Sequence, residues 1–392
     1  MKEEDVKLLK TIGIFNDSFP PIMDGVALAA QNYAYWIHQK DIPVCVVTPK
    51  APNHVDSEPY PIYRYSSLPV VIRKPYRLGL PDFDPFIKEK LERIPFGIIH
   101  AHCPFSSAAL ARRITKERSI PLVATFHSKF KDDFERAVRS EHIANLMVKE
   151  VIRFFEKADE VWIPQAAVED TIREYGFKGK VEVVDNGSDF SLNEDIAPLK
   201  AKARKKLQVN DEELMFLFVG QHIWEKNTRL ILETLAEIKE LPFKMFFVGT
   251  GYAASEMKEL SENLGLKNKV KFEGMLLDRE QLKQYYLAAD LFLFPSLYDT
   301  FGMVVHEAAI CHTPSIMIEN STAAEIIQDD FNGFLINNTV ASFVSKIKEL
   351  ATEPQKITTA GINASQTIAR SWENVIDEVL DRYVQLIKRF SK

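Results

Sequence analysis

Two carboxylates in the second half of the chain, Asp299 and Glu307, lie eight positions apart in the stretch LFLFPSLYDTFGMVVHE. The stretch opens with an apolar run typical of a strand buried on both faces, and a loop carrying Asp299 follows. The apolar spacing from Met303 to Ile310 favours a helix, so Glu307 lies about two turns beyond the loop. Carboxylates accept hydrogen bonds from sugar or ribose hydroxyls, and backbone N–H groups at a helix start favour phosphate. The stretch therefore predicts a site for a polyhydroxylated, anionic ligand; the alternative is an ordinary strand-to-helix corner with solvated acids.

A second loop of this half, GQHIWEKN, carries Lys226 between a predicted strand and a predicted helix. An ammonium at this place can neutralise a diphosphate through charge-assisted contacts, although lysine is also common at helix starts. Gly249, Thr250 and Gly251 follow the next strand and form a second tight turn at the same sheet edge. Glu325 opens a further predicted helix, where a solvated acid is the plainer interpretation. The two turns add phosphate-binding potential to the edge that carries the acids.

The loop after the first strand, NDSFPPIMDG, ends with Gly25 at the start of a predicted helix. Glycine allows close approach of the backbone, and a helix N-terminus attracts anions. This loop is therefore a candidate phosphate seat, or a plain connection. It lacks the G-x-G-x-x-G pattern, which makes a dinucleotide-binding interpretation weak.

Three histidines, His100, His102 and His127, lie at the ends of two neighbouring predicted strands. Side chains at positions i and i+2 of a strand point to the same face, so a metal site has to be considered. The sequence offers no acidic or thiol ligand beside them at helical spacing, which disfavours a metal. His127 is the better candidate for a hydrogen bond to a substrate hydroxyl, and the polar loop 129–133 after it could close over an acceptor.

Strands alternate with helical patterns along the whole chain, which is typical of parallel α/β sheets. In the first half we predict strands at Thr11–Phe15, Val44–Thr48, Gly97–Ala101, Leu122–Phe126, Val161–Pro164 and Val181–Asp185. The helices predicted there are Val26–Gln39, Ser107–Glu117 and one long amphipathic helix, Ala137–Lys157. In the second half we predict helices at Thr228–Lys239 and Ala254–Leu264, and strands at Leu214–Val219, Phe243–Val248, Val270–Phe272, Leu291–Phe294, Thr313–Ile318 and Gly333–Ile336.

The pattern restarts after a polar stretch, Ser188–Leu207, which predicts two doubly wound, Rossmann-like domains. We expect the first domain to span residues 1–188 and the second to span residues 189–371. The last helix, Trp372–Lys388, follows the completed second sheet, so we expect the segment 372–392 to cross back to the first domain. Such sheets bind ligands at the carboxyl ends of their strands, which we expect to face a shared central crevice.

The 392-residue chain has the composition of a globular protein, with 46% apolar and 27% charged residues. A formal net charge of −6 argues against a general nucleic-acid binder. The segment Arg64–Arg118 carries eleven Lys or Arg against five Asp or Glu, and is either a solvated surface or a membrane-facing patch. Widely separated cysteines, a charged N-terminus and no apolar run of membrane-spanning length predict a cytoplasmic protein that is at most peripheral to a membrane.

Four stretches of the second half resemble the retaining glycosyltransferases of family 4, which have the two-domain GT-B fold. They are VGQHIWEKN, FFVGTGYAASEMKEL, VKFEGML and the long stretch from FPSLYDTFG to DDFNGFLI, in the family's order and spacing. The family's hallmark is two glutamates separated by seven residues, and Asp299 and Glu307 stand at those positions. The resemblance covers almost the whole chain and implies an acceptor-side domain followed by a nucleotide-sugar-binding domain.

The resemblance implies a role for each candidate residue. Glu307 would bind the ribose hydroxyls of a nucleotide-sugar, and Asp299 would hold a hydroxyl of the donor sugar. Lys226 would bind the diphosphate, and His127 would lie beside the reacting carbon. Further contacts to the donor would come from Gly25, Gln221 and Gly251, and from the backbone of Phe301, Gly302, Met303 and Val304. No metal or other cofactor is required.

Three departures from the family pattern concern the donor. The family has arginine where this chain has Gln221, so one phosphate-directed charge is missing unless His222 or another side chain replaces it. Asp299 is one methylene shorter than glutamate and must reach further or act through water. Ser321–Ala324 replaces the paired glycines that precede Glu325 in the family.

The stretches ATFHSKFKDDFER and FNDSFPPIMDGVA are most similar to the diacylglycerol glucosyltransferase branch, which works at the cytosolic membrane face. The resemblance implies transfer of a hexose from a nucleoside-diphosphate sugar, UDP-linked, to an acceptor hydroxyl with retention. The implied acceptor is a lipid such as diacylglycerol at an anionic membrane surface, and no nucleic acid is expected as a partner. Two alternatives stay open, a non-catalytic nucleotide-sugar-binding protein and a nucleotide-sugar epimerase, which needs several acids and bases around the sugar.

Overall fold

The computed structural model describes residues 3–70, 76–190, 192 and 194–390 of the chain. The chain divides into two compact α/β units. The first unit comprises Met1–Asn186 and Trp372–Lys392, and the second comprises Gly187–Ser371. The division lies two residues before the position expected from the sequence.

The first unit is built on a parallel sheet with helices on both of its faces. Its strands are β1 (Thr11–Phe15), β2 (Val44–Pro49), β3 (Ile62–Tyr65), β4 (Ser67–Pro69), β5 (Arg77–Gly79), β6 (Phe96–Ala101), β7 (Leu122–Thr125), β8 (Glu160–Ile163) and β9 (Val181–Val183). Its helices before the division are α1 (Glu3–Leu9), α2 (Gly25–Gln39), α3 (Pro85–Glu92), α4 (Ser106–Arg118), α5 (Phe130–Val138), α6 (Glu141–Phe155) and α7 (Val168–Glu174). The sheet order is β3-β2-β1-β6-β7-β8-β9, and β4 and β5 form a separate antiparallel hairpin.

The second unit repeats the design on a six-stranded parallel sheet. Its strands are β10 (Leu214–Val219), β11 (Phe243–Val248), β12 (Val270–Gly274), β13 (Leu291–Phe294), β14 (Ser315–Ile318) and β15 (Phe334–Ile336). Its helices are α8 (Ile196–Lys206), α9 (Thr228–Glu237), α10 (Ala254–Asn263), α11 (Arg279–Ala288), α12 (Met303–Ile310), α13 (Val340–Thr352) and α14 (Pro354–Thr367). The sheet order is β12-β11-β10-β13-β14-β15. Both units are therefore doubly wound α/β folds, as the sequence predicted.

The burial of the central strands explains why they could be predicted from the sequence. All residues of β2, β6 and β13 are buried, because helices cover both faces of each sheet. Such strands appear in the sequence as continuous apolar runs bounded by polar loops. The short strands β3, β4 and β5 carry half-buried or exposed residues, and they were not predicted.

The predicted helix Ala137–Lys157 is confirmed over α6 but begins too early, because Ala137 and Val138 end the preceding helix α5. Two helices, α5 and α6, occupy this region, and Arg139 between them adopts a left-handed backbone conformation with φ 51°. Phe134 of α5 and Val148 of α6 are buried in the same apolar core, so the hydrophobic period continues across the break and hides it. The stretch 129–133, expected to be a polar loop, is mostly the first turn of α5 and buries Phe130.

The last helix, α15 (Trp372–Phe390), belongs to the first unit. It contacts α1, α2 and β6, and its buried face includes Trp372 and Tyr383. Lys40 Nζ forms a 2.7 Å ion pair with Asp377 of this helix. The chain thus returns to the first unit after completing the second.

Two further observations concern expectations from the sequence. Glu325 does not open an α-helix, because it lies inside a short 3-10 turn, Thr322–Ile326. Within the described residues, the structure has no helix that is both long enough and apolar enough to cross a membrane.

Candidate functional site

Two loops at the carboxyl edge of the second sheet bring Lys226 and Asp299 together. They follow β10 and β13, the adjacent parallel strands from which the chain winds outward in opposite directions. Lys226 Nζ donates to both carboxylate oxygens of Asp299, at 2.8 and 3.0 Å. Ser296 Oγ donates to Asp299 Oδ2 at 2.6 Å. Two compensating charges therefore lie at the point where doubly wound folds bind ligands.

The surroundings of Lys226 favour a charged partner. The residue is only 9% exposed, and its ammonium lies 5.2 Å from the centroid of the Phe294 ring. A buried charge is costly unless it is paired, and here Asp299 provides the pairing. A ligand phosphate would find a desolvated cation at this position, where electrostatic interactions are stronger than in bulk water.

The glycines of this edge let the loops approach each other closely. Gly249 has φ 134°, and a Cβ there would lie 1.9 Å from the carbonyl oxygen of Gly220. A Cβ on Gly251 would lie 2.3 Å from the carbonyl oxygen of His222. The role of Gly251 is therefore first structural, because it permits contact between the loops after β10 and β11.

Neither Gln221 nor His222 supplies the positive charge that the family's arginine would have at position 221. Gln221 is exposed, whereas His222 is buried among the rings of Phe218, Phe247 and Phe272. Burial lowers the pKa of His222 to about 4, so its imidazole is neutral at neutral pH. His222 therefore adds no positive charge to this edge.

Helix α12 begins beside the Lys226–Asp299 pair. Its N-cap, Gly302, has φ 72°, and a Cβ there would lie 3.3 Å from the same Phe294 ring that Lys226 covers. Within the described residues, no side chain caps this helix. A helix N-terminus of this kind attracts anions. The backbone that the resemblance assigned to the donor forms its start: Phe301, Gly302, Met303 and Val304.

Glu307, in the second turn of α12, is also buried, and both of its carboxylate oxygens are hydrogen-bonded. Its Oε1 accepts a hydrogen bond from Arg279 Nη2 at 2.6 Å, and its Oε2 accepts one from the Tyr286 hydroxyl at 2.7 Å. Burial raises the pKa of Glu307, and the charge of Arg279 acts in the opposite direction. Arg279 in turn donates to both carboxylate oxygens of Asp189.

No motif in the sequence pointed to Arg279, Tyr286 or Asp189 as site residues. One signal was available for the first two, because they lie seven positions apart on α11 and so share a helix face. Their common partner, Glu307, could not be inferred from spacing.

In the first unit, the three predicted histidines lie together. The ring centroids of His100 and His102 are 4.0 Å apart, and His102 Nδ1 is 3.0 Å from His127 Nε2. His100 bonds the Tyr383 hydroxyl and Thr125 Oγ1, both at 2.6 Å. Burial lowers the pKa of His127 to about 3 and that of the other two well below the usual value. The cluster is therefore neutral, and it suits uncharged hydroxyls better than phosphates.

The phosphate seat expected at Gly25 is already filled by a carboxylate of the protein. Asp24 caps α2, and its Oδ1 accepts hydrogen bonds from the N–H groups of Val26 and Ala27, at 3.0 and 2.8 Å. An incoming phosphate would meet a like-charged oxygen at this helix start. The Val26 and Ala27 N–H groups beside Gly25 are thus already hydrogen-bonded within the protein, and a donor contact at Gly25 stays a prediction.

A metal site is not evident in the part of the chain that the structure describes. No group of three or more His, Cys, Asp or Glu side chains there is placed to hold an ion. The imidazoles instead bond one another, a tyrosine and a threonine.

Comparison with known proteins matches both halves of the chain. Residues 23–192 match the model of the family described as Glycosyltransferase Family 4, and residues 200–367 match Glycosyl transferases group 1. The chain belongs to the family-4 glycosyltransferases. It is a hexosyltransferase by this relationship, as the resemblance of its motifs implied.

A curated relative of this glycosyltransferase is an alpha-monoglucosyldiacylglycerol synthase of Streptococcus pneumoniae. The two are 28% identical over 330 residues, which cover 83% of this chain and 74% of the relative.

Solved structures similar to the glycosyltransferase show its fold. The Anabaena protein HepE, in complex with UDP and glucose, has a TM-score of 0.76 at 19% identity, covering 95% of this chain and 99% of that one. Sucrose-phosphate synthase from Thermosynechococcus elongatus has a TM-score of 0.80 at 19% identity, covering 97% and 100%. The glycosyltransferase thus has the GT-B fold.

Proposed function

We propose that this glycosyltransferase moves a hexose from a UDP-sugar to an acceptor hydroxyl with retention at the anomeric carbon. The observation that carries the proposal is the meeting of Lys226, Asp299 and the start of α12 at one sheet edge. A diphosphate needs compensating charge and sugar hydroxyls need hydrogen-bond acceptors, and this edge supplies both. The UDP and glucose bound by HepE support the donor class.

Lys226 and the N-terminal amides of α12 would stabilise the departing diphosphate. Preorganised positive groups next to the developing charge lower the barrier in a site that excludes water. An ammonium has three N–H donors, so Lys226 can bond a phosphate oxygen and keep one bond to Asp299. The released Asp299 oxygen would then accept a hydrogen bond from a hydroxyl of the donor sugar, and Glu307 would accept from the ribose.

For the reaction itself we favour front-face attack. The acceptor oxygen forms its bond to the anomeric carbon on the face from which the diphosphate leaves, while the bond from that carbon to the diphosphate oxygen breaks. The departing phosphate oxygen takes the proton of the acceptor hydroxyl, so the products are the glycoside and UDP. His127 would orient the donor sugar through a hydrogen bond. Proton NMR of the product reports its anomeric configuration, and an inverted product would contradict this mechanism.

The second element of the proposal is a lipid acceptor at the membrane. We propose with it that the enzyme is cytoplasmic and peripheral to the membrane. The hairpin pairs Leu68 with Leu78, each 55% exposed, and Phe83 and Phe86 nearby in the chain are 80% and 73% exposed. Exposed apolar side chains so close together mark interaction surfaces. They lie in the net basic segment Arg64–Arg118, which would attract anionic lipid headgroups. The relation to an alpha-monoglucosyldiacylglycerol synthase supports a lipid acceptor of this class.

The test is a mass-spectrometric incubation of the enzyme with a panel of nucleotide-sugars, with and without vesicles of anionic and neutral lipids. We expect slow hydrolysis of a UDP-hexose alone and a new glycolipid when vesicles are present. The Lys226→Ala variant controls for contaminating activity. A product formed only with soluble acceptors would overturn the lipid assignment while leaving the transferase assignment intact.

The non-catalytic alternative is motivated by Gln221 and Asp299, which depart from the family pattern. It predicts that UDP or a related nucleotide binds but that no donor is turned over in any acceptor mixture. Interconversion of free nucleotide-sugars in the same incubation would instead favour the epimerase.

A further inference from the structure

We propose that Arg279 and Tyr286 are positioning residues that hold the Glu307 carboxylate ionised and oriented for the two ribose hydroxyls of the donor nucleotide. The inference rests on the proposed function, in which Glu307 binds the ribose. It adds a second layer to the nucleotide site, built from α11 and from Asp189, that no family motif in the sequence indicates.

Each carboxylate oxygen of Glu307 accepts one hydrogen bond from the protein and can accept a second one. Oε1 accepts one hydrogen bond, from Arg279 at 2.6 Å, and Oε2 accepts one, from Tyr286 at 2.7 Å. A carboxylate oxygen has two lone-pair directions, so each oxygen can accept one further hydrogen bond. Two adjacent hydroxyls of a ribose would match two acceptors fixed in this way.

Arg279 is itself held in one orientation. Its Nε donates to Asp189 Oδ2 at 2.8 Å, and its Nη2 donates to Asp189 Oδ1 at 2.5 Å. Nη2 carries two hydrogens, so it serves Asp189 and Glu307 at the same time. The guanidinium also lies 4.4 Å from the centroid of the Phe190 ring. A planar group fixed on three sides fixes the carboxylate that it touches.

Charge gives the second reason for the arrangement. Glu307 is 7% exposed, and burial alone favours its protonated form. The charged or titratable groups around it include Arg279 and Tyr286 on α11, Asp189 before α8, and Cys311 at the C-cap of α12. Burial raises the pKa values of Tyr286 and Cys311 far above neutrality, so both stay protonated.

Arg279 is thus the one cation among these neighbours within the described chain, and Asp189 works against ionisation of Glu307. Lys283 and Glu280, also on α11, act on Cys311. Loss of the arginine would remove the charge that favours the ionised form of Glu307, so its carboxyl group would take up a proton at higher pH and then accept fewer hydrogen bonds.

The test measures binding of UDP and of 2′,3′-dideoxy-UDP to the full-length protein by calorimetry between pH 5.5 and 8.5. For Arg279→Met we expect UDP binding weaker by about tenfold or more at pH 7, with affinity falling further as pH decreases. Arg279→Lys should recover most of this loss. The dideoxy nucleotide, which has no ribose hydroxyls to bind, should bind Arg279→Met and the unaltered protein within about twofold of each other.

Two further variants separate charge from orientation. Tyr286→Phe removes a hydrogen bond without removing a charge, so we expect a loss of about threefold to tenfold that varies less with pH than the loss in Arg279→Met. Asp189→Asn removes the carboxylate that opposes ionisation, so the pH at which UDP binding weakens should shift downward, opposite to the shift in Arg279→Met. This opposite shift keeps the inference testable even if Arg279→Met does not fold.

Kinetics give a further readout. A residue that acts through the ribose changes ground-state and transition-state binding equally, so KM for the donor should rise while kcat stays nearly constant. Equal losses for UDP and the dideoxy nucleotide, or a pH profile unchanged in Arg279→Met and Asp189→Asn, would overturn the inference. Failure of the unaltered protein to bind UDP would instead reject the donor assignment itself.

Discussion

The two units carry different chemistry at the same topological position, the point where the strand order of each sheet reverses. In the first unit this point lies between β1 and β6, and Asp17 Oδ1 there accepts a hydrogen bond from the Ser107 N–H at the start of α4. In the second unit it lies between β10 and β13, and Lys226 and the start of α12 occupy it. The start of α4 is hydrogen-bonded to the Asp17 carboxyl group, whereas the start of α12 lies beside the Lys226 ammonium.

This difference indicates where an anionic ligand can bind. Asp24 caps α2, which follows β1, and Asp17 accepts from the Ser107 N–H in the first turn of α4, which follows β6. In the first unit, carboxyl groups of the protein therefore occupy the places where a phosphate would otherwise bind. The first unit instead collects neutral imidazoles around His127. A diphosphate therefore fits the second unit, and an uncharged hydroxyl fits the first.

The largest expected effect is the loss of folding stability in acid, and it should be greater in the first unit. Histidines whose folded pKa lies below the unfolded value of about 6.5 stabilise the folded state above that pH, and the contribution is lost as pH falls. Each such histidine lowers the free energy of unfolding by about 1.4 kcal/mol for every pH unit below about 6.5, until the pH reaches its folded pKa. The first unit buries three such histidines, His100, His102 and His127. The second unit buries His222 and His306 and half-buries His312, whose pKa burial also lowers. The difference between the units therefore rests on the deeper burial of the three histidines in the first.

Urea unfolding at pH 7 and pH 5.5, followed by hydrogen exchange and mass spectrometry, resolves the two units. The raised pKa values of Asp17 and Asp24 offset part of the loss, because these carboxyls take up protons in the folded state. Replacing the exposed His142 with Gln should leave the acid sensitivity unchanged. Equal stability of the first unit at both pH values would contradict the neutral cluster.

The second largest effect is expected for Lys226→Ala, with kcat lower by about 10²–10³. The substitution removes the cation that we propose faces the leaving diphosphate, and it leaves Asp299 without its 2.8 Å partner. Initial rates of UDP release measure the effect. Lys258→Ala is the matched control, because this exposed lysine of the same unit also lies over a ring, that of Phe272. A variant with near-normal turnover would remove Lys226 from the mechanism.

A smaller effect, about tenfold, is expected for His127→Phe. Neutral hydrogen bonding to a sugar hydroxyl contributes less than charge compensation of a leaving group, so this substitution sharpens the contrast between the units. The loss should appear without a change in the pH dependence of kcat between pH 6 and 8, because burial holds the pKa of His127 near 3. Loss of a limb of the pH–rate profile would identify His127 as a general base instead.

The smallest effect is expected for Gly302→Ala, with stability reduced by about 1–2 kcal/mol. Gly302 has φ 72°, a left-handed conformation that disfavours a side chain, and it precedes the helix that would bind the donor. Gly265→Ala is a matched control, since Gly265 has φ 76° and a Cβ there would have no neighbouring atom within 4 Å. Both variants should melt earlier, but only Gly302→Ala should raise KM for the donor.

Several elements of the fold could be predicted because their signal is local. The buried strands β10, β11 and β13 were found within a residue of their ends, since a run of apolar residues between polar loops needs no partner to be recognised. Most of α5 was not predicted, and the break before α6 was missed, because the left-handed conformation of Arg139 leaves the apolar period intact. The amphipathic α15 was placed by exclusion, after the second sheet was complete.

In the candidate site, too, the residues could be predicted from the sequence but their contacts could not. Lys226, Asp299 and Glu307 were identified from their loops and from family spacing, whereas their contacts were not. The capping of α2 by Asp24, next to Gly25, was also not predicted, because the spacing of a carboxylate and a helix start does not show that the two bond each other.

By itself, the sequence determined the alternation of strands and helices and the loops in which the charged residues stand. These properties depend on periodicity and composition over a few neighbouring residues. Only the tertiary structure decided that Arg279 reaches from α11 to both Asp189 and Glu307, residues 90 and 28 positions away in the chain. It also decided that the histidines are neutral, because burial, which no local pattern specifies for a polar side chain, sets the free energy of their charged form.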